Sequence, residues 1–387
     1  MCILVKNVFK KHTISMKWSL SLGKIAGIKI QIHWTFILII LWIIFLNLSR
    51  GSTVQETTTA VIFILTIFAC VVLHELGHSL MAKRYGVAVK SITLLPIGGV
   101  ASLEEIPEDP KKELLIAIAG PSVNLIIAGI LFLILWAGGR LTIPAGAESF
   151  QKLAESSFLY RLLSVNLFLL VFNIIPAFPM DGGRVLRALL SLKMDRVTAT
   201  SIAASIGQIL AIGFAFLGLL SNPFLIVIAL FVYLGAQFEA QQVRTGSILA
   251  DHKVRDVLMH HYTPLNEHET LAKAIDILLD GQEREFVVLD DEDKAVGILT
   301  RDNIIKALNE RGKEVSISEV MNRDFFSPSP ADSLKDVFQK MQQQRFTVLP
   351  VIEEDTLKGI IDMENILEFI QVQEVLQREV PHLKRII

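Results

Sequence analysis

Residues 57–82 read TTTAVIFILTIFACVVLHELGHSLMA, and the reading of this stretch decides the fold, because it places His74-Glu75-Leu76-Gly77-His78 inside an otherwise apolar helix. Two histidines four residues apart lie on one helix face, one turn apart, so both imidazoles can bind a single Zn²⁺. Glu75 stands beside them, placed to act on a water that the metal activates. A His pair can also be no more than a polar helix surface. With 9 His and 39 Asp plus Glu in 387 residues, however, H-[DE]-x-x-H arises by chance about 0.02 times. The surroundings weigh further against a bare surface, since ionisable groups within a membrane span are rare unless they pair, bind an ion or line a water-filled cavity. The stretch predicts a metal site inside a membrane helix.

Working outward, 52% hydrophobic residues and a mean hydropathy of +0.50 exceed what soluble domains usually carry. The excess lies in the first 240 residues, and from about Asp251 the composition is that of a soluble domain. A net charge of -2 predicts no nucleic-acid partner. The two cysteines are Cys2 and Cys70, and Cys70 lies in an apolar span, so no disulfide framework is expected. Cys70, one turn before His74, reads either as a fourth ligand or as a small buried apolar residue. The first apolar run is too long for a signal-peptide core and lacks a small-residue cleavage site, so it is expected to stay in the membrane. The organised pattern begins with Trp18, which makes MCILVKNVFKKHTIS read as extra sequence upstream of Met16.

Residues 18–32 (LGKIAGIKIQI within them) predict a short strand or hairpin. Six spans follow, at about 33–48, 57–82, 113–137, 158–176, 199–220 and 223–238. His33 and Trp34 open the first at interfacial depth, His33 as an anchor rather than a ligand. Between spans two and three, VAVKSITLLPIGGVASLEE predicts a second hairpin. Such strands can pack on the membrane face, or an exposed edge can receive an extended peptide by strand addition. Lys6, Lys10, Lys11, Lys17, Lys24 and Lys29 precede span one. Lys83, Arg84, Lys90, Lys111 and Lys112 follow span two, and Arg184, Arg187, Lys193 and Arg196 follow span four. The alternate loops carry only Arg50, then Arg140 and Lys152. By the positive-inside rule both termini and the soluble part are cytoplasmic. His78 and His74 then lie roughly 7 and 13 Å inside the cytoplasmic edge at 1.5 Å per residue.

A catalytic zinc site wants three protein ligands and an open position. Asp181 is the candidate third. Asn173, Pro176 and Pro179 before it would interrupt the helix, and Gly182 and Gly183 after it allow close backbone approach. Irregular backbone at membrane depth is tolerated where it lines a cavity. Alternatively Asp181 ends a helix at the interface and pairs with Arg184.

HELGH in the second span, GPSVN (Gly120–Asn124) in the third and N-x-x-P-x-x-P-M-D-G-G-R after the fourth, in this order, resemble the site-2 protease family of intramembrane zinc metalloproteases over residues 18–240. The resemblance implies that His74, His78 and Asp181 bind one zinc, that Glu75 is the general base, and that Asn124 and Asn173 line the active site. It also implies a transmembrane protein substrate in the bilayer, such as an anti-sigma factor or another membrane-tethered regulator. Met180 stands where the family usually has Leu, a conservative swap. No PDZ domain interrupts the membrane part.

After a linker at 241–250, two similar stretches repeat at about 62 residues, each reading strand, helix, two strands, helix. They resemble a tandem cystathionine-β-synthase (CBS) pair over 251–372, with copies at about 251–310 and 316–372 and a tail at 373–387. In that family G-h-h-[ST]-x-x-[DN] contacts adenine nucleotides. Gly297–Asn303 fits, and the resemblance implies Thr300 facing phosphate and Asn303 facing ribose, with ATP or AMP as regulator. The second copy has Asp362 in place of Thr, and its charge repels phosphate. The pair can equally serve only to form a homodimer. His252, His260, His261 and His268 read as solvated surface.

The expected fold is a polytopic α-helical membrane protein of six transmembrane helices with short β elements, plus a cytoplasmic α/β tandem CBS domain. The expected function is zinc endopeptidase cleavage of substrate transmembrane segments. The rival is a CBS-regulated metal or ion transporter using the same His/Asp cluster.

Overall fold

The computed structural model of the chain describes residues 19–96, 98–103, 107–139, 157–281 and 283–383. The expected N-terminal extension at 1–17, Arg140 and Lys152 lie outside them. The chain divides into two units, one ending at Val243 and one running from Arg244.

In the first unit, β1 (Ser19–Ile25) and β2 (Ile28–His33) form the expected hairpin. Its two-residue loop, Ala26-Gly27, has φ of 51° and 83°, the left-handed pair whose twist matches that of the flanking strands. β3 (Val89–Leu95) and β4 (Gly98–Leu103) form the second hairpin. The sequence pattern does not disclose that β2 and β3 pair in parallel, Lys29–Ile32 against Ser91–Leu94, to make one sheet ordered β1-β2-β3-β4. A parallel pair needs a long crossover, supplied here by α1 (Phe36–Ser49) and α2 (Val54–Arg84). Ile28, Ile30 and Ile92 of the sheet pack with Leu76 of α2, and Leu94 packs with Phe36 and Phe68. The sheet is thereby seated on the helix that carries HELGH.

The remaining helices are α3 (Pro110–Ala137), α4 (Phe158–Ile174), α5 (Asp181–Ser191), α6 (Arg196–Leu220) and α7 (Phe224–Ala250). Their starts follow from sequence. Thr53 and Glu56 form a capping box at α2, while Asp109 caps α3 with Pro110 at a position whose missing N–H costs nothing. Cys70, Ala128, Leu131, Leu135, Leu162 and Leu163 make the core among α2, α3 and α4. Outward, Ile62, Leu125, Ile130, Phe168, Ile212 and Leu219 are 51–75% exposed, an apolar exterior suited to lipid rather than water. Among the described residues, α2, α3, α6 and α7 are long and apolar enough to cross a membrane. The expected first and fourth spans are shorter helices of 14 and 17 residues, about 21 and 26 Å against a hydrocarbon core of about 30 Å.

Residues 241–250, expected as a linker, are helical and form the last turns of α7. EAQQVRTGSILA contains no proline to stop the helix, and Ile248 and Leu249 are 1% and 2% exposed within the core of the second unit.

In that unit the first CBS copy folds as β5 (Leu265–Asn266), α8 (Leu271–Asp280), β6 (Glu285–Leu289), β7 (Ala295–Thr300) and α9 (Arg301–Arg311), matching the expected order. The second supplies α10 (Leu334–Gln344), β8 (Val348–Glu353), β9 (Thr356–Asp362) and α11 (Met363–Leu383). It lacks a strand before α10 among the described residues, where Pro328 and Pro330 have no N–H to give a ladder. The tail expected from 373 is helical to Leu383. The copies are not separate cores. Val254 and Val257 are buried with Leu334, Phe338 and Ile361 of the second copy, while Ile317 and Met321 are buried with Phe286 and Leu299 of the first. Met259 N donates to Ile360 O at 2.9 Å and Ile298 N to Asn322 O at 3.0 Å. Each copy lends its opening segment to the other.

Candidate metal centre

His74 and His78 stand one turn apart on α2, both buried, with Glu75 half-buried beside them. α4 ends at Ile174, and the stretch with Pro176 and Pro179 stays out of helix until α5 begins at Asp181. This turn is closely fitted. A Cβ on Gly182 would lie 2.2 Å from Ile175 O, and one on Gly183 2.6 Å from Phe178 N, so a side chain at either position would unseat Asp181. Held there, Asp181 Oδ2 lies 3.1 Å from His74 Nε2 and 3.0 Å from His78 Nε2, and the two nitrogens are 3.1 Å apart.

Hydrogen bonds alone do not account for this triangle. His78 Nδ1 donates to Ile116 O at 2.7 Å, which leaves a lone pair on Nε2 of the neutral ring. That lone pair meets a carboxylate oxygen and a second imidazole nitrogen. A single shared proton would satisfy one edge and leave the others, whereas a cation at the centre would satisfy all three. Zinc bound tetrahedrally at about 2.0–2.2 Å sets its ligand atoms about 3.3 Å apart, so donor types and spacing fit that ion. His74, His78 and Asp181 form the group able to hold a metal among the described residues, and Cys70 is outside it. Cys70 is buried in the α2–α3–α4 core with Asn166 Nδ2 3.7 Å from its sulfur.

Neighbouring backbone shapes the site. A Cβ on Gly120 would lie 2.0 Å from His78 Nε2, and one on Gly99 of β4 would lie 2.7 Å from Glu75 Cγ. α3 therefore comes up against the imidazole, and the sheet against the carboxylate, only because glycine stands at both places. Asn124, one turn beyond Gly120, is 1% exposed and its Oδ1 has no hydrogen-bond partner. Asn173 is half-buried on the last turn of α4. His33 Nδ1 pairs with Thr35 Oγ1 at 2.7 Å, next to the start of α1. Sequence reasoning missed Ile116, a backbone acceptor with no side-chain signature. It also counted Arg187 only as a loop charge, although Arg187 is fully buried.

In the CBS pair, Thr300 and Asn303 form a capping box at the start of α9, so their side chains first serve the exposed N–H groups of that helix. Asp362 accepts from Asn365 N at 2.6 Å, and burial pushes its carboxyl upward. Burial pushes Glu285 up to about 7, Asp302 and Asp362 add to the push, and the Thr347 hydroxyl, donating at 2.7 Å, opposes it. Glu285 and Asp362 are thus two neighbouring carboxyls whose charged forms burial disfavours.

Peptidase family M50 matches residues 62–142 and 137–214, and the CBS domain matches 254–310 and 317–372. Zinc metalloprotease MJ0392 of Methanocaldococcus jannaschii is 38% identical over 362 residues, covering 93% of this chain and 98% of that protein. Putative zinc metalloprotease Rip3 of Mycobacterium tuberculosis is 27% identical over 389 residues, covering 94% and 96%. The solved site-2 protease from M. jannaschii is 45% identical and covers 58% of this chain and 95% of its own, with a TM-score of 0.42.

Two expectations test this geometry. Gly120→Ala should weaken zinc binding at least tenfold in chelator competition, because the pinned His78 ring has to move; wild-type affinity would contradict the placement of α3. For Glu285, a folded pKa raised from 4.5 to about 7 means a stability contribution present at low pH and lost as pH rises through that interval. Calorimetry of the full chain should find the CBS transition of Glu285→Gln raised above wild type at pH 8, with the difference shrinking toward pH 5. An equal difference at both pH values would count against the assignment.

Proposed function

Because the chain belongs to peptidase family M50, the site-2 protease type of zinc metalloprotease, with a tandem CBS pair, we propose that His74, His78 and Asp181 are its zinc ligands and Glu75 its general base. We propose further that it cleaves peptide bonds within or near transmembrane segments of membrane proteins. The observation that carries this reading is the triangle of His74 Nε2, His78 Nε2 and Asp181 Oδ2, with edges of 3.0–3.1 Å.

Zinc held there supplies Lewis-acid polarisation of the scissile carbonyl and a lowered pKa for the attacking water. Glu75 accepts the water's proton and returns it to the leaving amine nitrogen. The Ile116 carbonyl keeps the His78 proton on Nδ1 and so keeps Nε2 available as a ligand. A substrate helix hides its carbonyls in i to i+4 bonds and has to unwind before attack. β4 is an edge strand whose Gly99 lies against Glu75. An extended substrate segment paired to that edge would arrive beside the base.

The positive-inside pattern supports six crossings, counting the two shorter helices, with termini and CBS pair cytoplasmic. For the CBS pair we read one adenine-nucleotide site at Thr300 and Asn303, with Asp362 disfavouring a second. Homodimerisation through this pair remains the other use of the module.

His74→Ala, His78→Ala and Asp181→Ala should each lose both zinc and cleavage of a peptide containing a transmembrane segment. Glu75→Gln should keep zinc and lose cleavage, since a carboxamide keeps the shape but cannot accept the proton. Full activity in Asp181→Ala, or proteolysis by Glu75→Gln, would overturn the assignments. For the CBS site, ATP or AMP titrated into the full chain should give binding heat and alter the cleavage rate, and Thr300→Ala should lose both. No heat at millimolar nucleotide would leave the pair as a dimerisation module.

A further inference from the structure

Arg187 is a fully buried arginine on α5, under two turns beyond Asp181. Its Nε donates to Glu113 Oε1 at 2.8 Å, its Nη2 donates to the same carboxylate, and its Nη1 donates to Glu239 Oε1 of α7 at 2.7 Å. The guanidinium carbon lies 5.1 Å over the ring of Phe178, in the turn that precedes Asp181. Arg196 completes the group, 3.6 Å from Glu113 Oε2 and donating to Pro107 O at 3.1 Å. Two cations face two carboxylates. A buried group of this kind is weak evidence of added stability, because apolar residues of similar volume often do as well. What a planar guanidinium does impose is geometry, since its fixed fork admits few arrangements of its partners.

Steric contacts from the same helix reach the same turn. A Cβ on Gly235 of α7 would lie 2.6 Å from Pro179 Cδ. Val232 of α7 packs with Ala177 and Met180, and Ala236 packs with Phe178. α7 therefore holds the backbone ahead of Asp181 by packing and the helix behind it through Arg187.

We propose that α7 sets the position of Asp181 at the two histidines, through Glu239 holding Arg187 and Gly235 seating Pro179. Arg187 and Glu239 are positioning residues, since neither touches the ligand atoms. The proposal rests on Asp181 being a zinc ligand.

The test uses the full chain in lipid nanodiscs with Glu239→Gln, Gly235→Ala, Arg187→Ala and Arg187→Lys. Zinc release to a chelator, the visible spectrum of the cobalt-substituted protein, and kcat and KM on a peptide with a transmembrane segment are measured. Glu239→Gln and Gly235→Ala should release zinc at least tenfold faster, shift the cobalt bands and lower kcat at least tenfold with KM within twofold. Arg187→Lys should recover part of what Arg187→Ala loses. Should the arginine variants fail to fold, the other two decide, because Arg187 keeps its bonds to Glu113 in both. Wild-type zinc release, spectrum and kcat in Glu239→Gln and Gly235→Ala, whatever their thermal midpoints, would overturn the proposal. Zinc retained by Asp181→Ala would instead overturn the ligand assignment beneath it.

Discussion

The structure depends on two imidazole nitrogens and a carboxylate oxygen being brought within 3.0–3.1 Å of one another among apolar helices. Ionisable groups in such surroundings persist only when paired, bound to an ion or hydrated. A cation would answer all three edges at once, and the local backbone leaves room around these atoms. Gly120 lets α3 approach His78, Ile116 fixes the ring's proton, and Gly182 and Gly183 let the turn before α5 close on itself. Each of these is a backbone or small-residue solution, because a larger side chain would occupy the space that the ligand atoms need.

The small sheet has a related part. Its apolar face rests on Leu76, between the two histidines, and its edge strand passes Glu75 at Gly99. It is held to the motif helix by packing, and the parallel pairing of β2 with β3 exists because α1 and α2 form the crossover between them. One helix thus carries His74 and His78, supports the sheet and bears Glu75, which the sheet approaches.

The soluble half obeys a different balance. Its two copies exchange opening segments, so their stability is shared, and Ile248 and Leu249 of α7 belong to that shared core. Glu285 and Asp362 lie where burial disfavours negative charge.

By itself the sequence determined what depends on local spacing and composition. The i, i+4 histidines, the proline-broken and glycine-rich approach to Asp181, the two hairpins, the long apolar helices and the CBS repeat were all legible, because helix period, proline chemistry and hydropathy act over a few residues. Only the tertiary structure decided which distant groups meet. Arg187 finds Glu113 across 74 residues and Glu239 across 52, and nothing in the local pattern of any of the three marks the others. The segment expected as a linker at 241–250 is helical, and its Ile248 and Leu249 are buried in a core that the local pattern does not disclose. The boundary between CBS copies dissolves because Val254 and Ile317 are each buried in the other copy. The physical reason is the same in each case: burial and charge pairing are properties of neighbours in space, and a chain specifies those neighbours only once its helices have packed.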